Sequence, residues 1–114
     1  MKRLYHKDLT AERWQNFSFC EQMANIGSEV FRAISWRQKN REYSQLALER
    51  ALELLDLTLE TSIRSSSRLK ELARLRETLV DYFSFDNDYC SDDKSWRSYF
   101  NAFSYAARNP AAKT

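Results

Sequence analysis

The chain has 114 residues, a formal net charge of +2, and one Gly and one Pro, where average usage of about 7% and 5% would supply several of each. That length supports one hydrophobic core, and so little turn chemistry excludes hairpin-rich and parallel α/β folds, whose turns draw on Gly and Asn-Gly. Interspersed acids and bases exclude a single-sign tail for nucleic acid or an anionic membrane, and no apolar run approaches the ~18 residues of a membrane span.

The polar start, Met1-Lys2-Arg3 running into His6-Lys7-Asp8, is unlike an apolar signal segment and leaves a cytoplasmic address as the expectation. Thr10 then offers a hydroxyl N-cap. Phe17, Cys20, Met23, Ala24, Gly27, Val30, Phe31 and Ile34 follow at steps of three and four, which predicts a first helix over roughly 11–38. Lys39-Asn40-Arg41 leaves room only for a tight reversal, so a second helix, roughly 42–60, is expected antiparallel beside it. Its stripe is Ser44, Ala47, Leu48, Ala51, Leu54, Leu55 and Thr58.

Thr61-Ser62-Ile63-Arg64-Ser65-Ser66-Ser67 reads as a loop, because hydroxyl side chains compete for backbone hydrogen bonds and favour caps and turns. A third helix follows on Leu69, Leu72, Ala73, Leu79, Val80 and Phe83, until Ser84-Phe85-Asp86-Asn87-Asp88 breaks the pattern. Ser91-Asp92-Asp93 supplies a capping hydroxyl and first-turn carboxylates for a fourth helix carrying Trp96, Tyr99, Phe100, Phe103 and Ala107, which Asn109-Pro110 ends. The expected architecture is all-α: an up-down-up-down antiparallel four-helix bundle, one domain over 1–114, with residues 1–9 and 109–114 as frayed tails.

Catalytic and metal chemistry lacks its parts. His6 is the only histidine, so neither a Ser-His nor a Cys-His pair is expected within the folded body, nor the Arg and following His of helical ribonucleases of the HEPN type. Di-iron bundles need Glu-x-x-His twice and zinc sites need several Cys or His, whereas the two cysteines, Cys20 and Cys90, sit in unrelated contexts. Ser67 to Lys70 and Ser91 to Lys94 match Ser-x-x-Lys, but the Ser-Asp-Asn and Lys-Thr-Gly elements that would accompany it are missing. Asp86-Asn87-Asp88 opens like a calcium loop and fails where Ser91 replaces the Gly and Arg97 the bidentate Glu. No catalytic residue, metal ligand or cofactor is assigned, and a non-enzymatic role is expected.

Other features carry the functional expectations. Glu49, Glu53, Asp56 and Glu60 fall on one line of the second helix, expected to be a solvated face. Arg76 falls mid-stripe between Leu72 and Leu79, level with Ala51 and Gly27, and is expected to be a buried guanidinium that finds an acceptor or an anion in a pocket. Trp36, Leu46, Leu57 and Tyr105 lie off the main stripes and are the expected interface of a homo-oligomer or a complex with a protein partner. Nine of the sixteen aromatics fall between Tyr82 and Tyr105, a core signature as much as an interface one. Arg37, Lys39 and Arg41 beside Trp36 form a basic-aromatic patch, the alternative expectation being a nucleic-acid-associated accessory protein.

The stretches Gln22-Met23-Ala24-Asn25-Ile26-Gly27-Ser28-Glu29, Ala51-Leu52-Glu53-Leu54-Leu55-Asp56 and Arg68-Leu69-Lys70-Glu71-Leu72, with Asp81-Tyr82-Phe83, resemble those of a group of small uncharacterised bacterial helical proteins. In architecture the chain is also similar to the four-helix bundles encoded in ribosomal-RNA intervening sequences and to accessory bundles of diversity-generating retroelements. The latter resemblance is of fold; it implies ring-like assembly and nucleic-acid contact as expectations and transfers no residue.

Overall fold

The structure, a computed structural model, describes residues 11–109. Every regular element among them is helical: α1 (Ala11–Trp14), α2 (Phe19–Trp36), α3 (Arg41–Thr61), α4 (Ser66–Ser84) and α5 (Asp93–Arg108). None is long and apolar enough to cross a membrane. Thr10, His6, Pro110 and most of the expected frayed tails lie outside the described residues.

The single helix expected over 11–38 is two. Ser18 is a stronger start signal than the apolar spacing around it: its hydroxyl accepts the Glu21 backbone N–H (3.1 Å), and the Glu21 carboxylate accepts the Ser18 N–H (2.7 Å). This capping box satisfies two donors that a continuous helix would use differently, and so it breaks the chain after Trp14. The short α1 turn is then held by Trp14, whose buried indole N–H donates to the Thr58 hydroxyl of α3 at 2.9 Å. Gln22 closes the turn by donating its side-chain amide to the Trp14 carbonyl at 2.9 Å.

Helix α2 packs against both α3 and α5, and α4 packs on α3. The α2–α3 reversal is fixed at Asn40, whose side chain accepts the Tyr43 N–H, and by Ser44, whose hydroxyl donates to the Ala33 carbonyl at 2.7 Å. All seven stripe residues expected on this helix, Ser44 through Thr58, are buried. Its acidic line is less uniform than expected. Glu53 is only 7% exposed and Asp56 is tied to α4, so this line is not a solvated face.

Helix α5 runs against α2 in the opposite sense, with Phe103 edge-on to Phe19 and Phe100 edge-on to Phe31. Gly27 makes that approach: a Cβ there would lie 2.7 Å from the Phe100 Cβ. The place beside Gly27, expected to open toward Arg76, is therefore filled by the Phe100 ring. Its N-cap is Asp92, whose carboxylate accepts the Ser95 N–H at 2.7 Å, rather than the Ser91 hydroxyl. Carboxylates suit the positive end of a helix dipole as well as hydroxyls do. Three of the nine clustered aromatics are core, Tyr82, Trp96 and Phe100, which are buried and follow one another in ring contact, and Phe83, Tyr99 and Phe103 pack partly buried against them.

Candidate functional site

Helix α4 turns differently about its axis from the expected wheel. Leu72, Leu75, Leu79 and Tyr82, spaced three, four and three, are its buried seam, while Ala73 is exposed and Val80 half-buried. Arg76 consequently lies beside the seam, and its expected burial does not hold. Its side chain is 41% exposed, and its Nε donates to Asp56 Oδ1 of α3 at 2.9 Å. A half-exposed bridge of this kind stabilises by about 1 kcal/mol or less.

Rotating the seam leaves an apolar flank uncovered. Leu59 of α3, Ala73 and Val80 of α4, and Phe85 beyond it line a groove of about 630 Å³, within the ~300–1,000 Å³ range of ligand sites. Arg76, Glu77, Asp81, Asp86, Asp88 and Tyr89 complete its walls, four carboxylates against one guanidinium. Phe85 is 72% exposed, the largest exposure among the large apolar side chains of the described residues.

The loop that presents Phe85 is built, not slack. The buried Asp81 carboxylate accepts the backbone N–H groups of Asp88 (3.0 Å) and Tyr89 (3.1 Å), and the Asn87 N–H reaches the Asp81 carbonyl. Asn87 takes φ 57°, a left-handed conformation that Asn tolerates, and its side chain both accepts from Ser91 N–H and donates to the Ser91 carbonyl, each at 2.9 Å. Asp86-Asn87-Asp88 thus serves loop closure. The Tyr89 hydroxyl folds back to Glu77 at 3.1 Å, and that bond to a carboxylate holds its pKa above the usual 10.0.

The four expected interface residues are not brought together. Trp36 and Tyr105 are exposed, at the end of α2 and in the last turns of α5. Because Phe19 of α2 meets Phe103 of α5, Tyr105 lies level with the start of α2, most of that helix's ~27 Å length from Trp36. Leu57 is half-buried against the core and Leu46 half-buried on α3.

The basic-aromatic patch divides similarly. Arg37 turns inward: its guanidinium donates to the Tyr82 carbonyl at 2.8 Å and lies over the Tyr82 ring, 4.5 Å from its centroid. Lys39 and Arg41 are exposed, beside the edge-on pair Trp36 and Tyr43. Arg37 and Arg41 also line a cleft of about 350 Å³ with Glu42, Gln45 and Phe83. Among the described residues no group of three or more His, Cys, Asp or Glu is placed to hold a metal ion. Cys20 is half-buried and Cys90 exposed, both as free thiols. No family model, curated protein or solved structure matches this chain.

Proposed function

We propose that this protein is a non-enzymatic interaction protein, an antiparallel up-down-up-down bundle of its four long helices that assembles with a second copy or another protein through apolar side chains its core does not use. The observation that carries this reading is Phe85, 72% exposed on a loop held by the buried Asp81 and standing at the mouth of an apolar groove. An exposed ring on an ordered loop costs solubility without adding to the core, and a rigid scaffold presenting a loop is the common arrangement of binding surfaces.

The test replaces Phe85 with a photo-crosslinking phenylalanine analogue in the cells that produce the protein and measures the mass of the purified chain by light scattering. Discrete crosslinked adducts, or a mass above the monomer that Phe85→Ser returns to the monomer without altering the melting temperature, support the reading. A monomer at every concentration together with no discrete adduct overturns it.

The second reading, a nucleic-acid-associated protein, draws on exposed Lys39, Arg41, Trp36 and Tyr43 at the α2–α3 reversal. Its mark is RNA or DNA binding that weakens steeply with salt and is lost in Lys39→Ala/Arg41→Ala, as phosphate contacts require. Arg37, with its guanidinium engaged on Tyr82, contributes less to that reading than its neighbours.

A further inference from the structure

We propose that the groove flanked by α3 and α4 and closed by the α4–α5 loop receives one amphipathic helix of a partner protein, with large apolar side chains on its inner face and Lys or Arg along its edges. The inference deepens the interaction reading and rests on it.

The shape argues for a helix. Ala73, Arg76, Glu77 and Val80 are three and four apart, one face of α4, so the groove follows a helix axis. From Ala73 to Asp81 it spans about 12 Å, roughly two turns, which an occupant fills with anchors at i, i+3 or i+4, and i+7. The described residues contain no strand, and so no sheet edge to which an extended peptide could add.

The charge argues for a cationic occupant. The walls carry Glu77, Asp81, Asp86 and Asp88, and their one cation, Arg76, is already bridged to Asp56. Arg74, exposed on α4, acts electrostatically on Tyr89, and it still leaves carboxylates in excess. The chain as a whole carries +2, so a basic helix is drawn to this rim and not to the molecule at large. Apolar floor and acidic rim together demand both halves of the partner: Asp81 and Glu77 already accept hydrogen bonds from the loop, so a neutral apolar helix leaves the exposed carboxylates of Asp86 and Asp88 unpaired, and a polybasic coil leaves Leu59, Val80 and Phe85 in water.

The probe is a labelled helical peptide of about 18 residues built from Leu and Lys, against a matched peptide with every Lys replaced by Glu, titrated with the full chain by fluorescence anisotropy. The Lys peptide is expected to bind at least tenfold more tightly than the Glu peptide and to lose several-fold in affinity as salt shortens the screening length. Asp86→Lys/Asp88→Lys should weaken it at least tenfold with helicity unchanged by circular dichroism. Val80→Asp should do the same from the floor, and Phe85→Ser, at an exposed site, serves where Val80→Asp lowers helicity. Equal affinity for the two peptides, or unchanged affinity in variants that keep wild-type helicity, overturns the proposal. Crosslinked adducts at position 85 without Lys-peptide binding would overturn this inference alone, whereas loss of the adducts and of any mass above the monomer removes the interaction reading beneath it.

Discussion

Gly27 shows how one missing methyl sets the distance between two helices. A Cβ at this position would meet the Phe100 Cβ at 2.7 Å and its ring carbon at 2.9 Å, atoms too near the backbone of α5 to swing aside. Alanine favours helix over glycine by ~1 kcal/mol, yet overpacking a core costs about 1–3 kcal/mol, so Gly27→Ala should leave a net loss of up to about 2 kcal/mol in urea denaturation. A gain in stability would show that α5 moves off α2 freely. Tyr82 and Tyr99 form a second residue-scale case, this time electrostatic. Burial, followed by the hydrogen bond to Asp93, pushes the Tyr82 hydroxyl up to about 12, and burial with the nearby Glu71 raises Tyr99 further. Both phenols hold their protons more tightly folded than unfolded, so their contribution is fully present below pH ~10 and drains away as pH rises toward the folded values. Denaturation midpoints should therefore fall from pH about 10 upward, and Tyr82→Phe should flatten that fall. A Tyr82→Phe profile parallel to the wild type would refute the assignment.

Elements were legible where apolar spacing and a cap agreed. On α3 the spacing placed all seven seam residues, because Asn40 starts the helix where the periodicity does. On the first segment the two signals conflicted: Phe17 and Cys20 continue a helical spacing across Ser18, but the Ser18–Glu21 capping box decides the boundary and leaves Phe17 exposed. The Ser-x-x-Glu spacing was present in the sequence and outweighs the hydrophobic pattern, since it satisfies backbone donors directly. Ser18→Ala should cost about 1 kcal/mol, and Trp14→Ala about 3–5 kcal/mol, because the latter removes both a buried ring and the partner of Thr58. Differential scanning calorimetry separates them; a Trp14→Ala loss no larger than that of Ser18→Ala would mean that α1 is not anchored to α3. Arg37, read from sequence as a phosphate-facing cation, instead caps the end of α4 through the Tyr82 carbonyl. Arg37→Gln should accordingly lower stability by about 1–2 kcal/mol while Arg41→Gln, at an exposed position, stays within ~0.5 kcal/mol. The reverse order would restore Arg37 to the surface patch.

At the scale of the molecule, the all-helical class follows from punctuation that any reader of the chain can count, whereas the groove does not. A helical wheel gives the period of α4 but not which neighbour covers each flank, and Ala73 and Val80 look like core until the buried face proves to run through Leu72, Leu75 and Leu79. Asp81, which organises the Phe85 loop, reads as one more surface acid; the nearest cue is Asn87, a residue type suited to the left-handed turn the loop needs. The packing order also fixes how the fold opens. Helix α2 is flanked by α3 on one side and α5 on the other, and its Met23, Ile26, Val30 and Ala33 are fully buried, while α5 buries only Trp96 and Phe100. Amide exchange should therefore be slowest along residues 23–33 and their α3 facing positions, where opening requires global unfolding, and faster in the last two turns of α5, where Ala102 and Tyr105 face solvent. Phe85→Ser should leave this ranking untouched, because its ring supports no core contact in the cluster built by Leu72, Leu79 and Phe100. Exchange in the last turns of α5 as slow as in the centre of α2 would mean that the solvent-facing side of α5 is covered in solution, and would direct the search for a partner there in preference to the α4 groove.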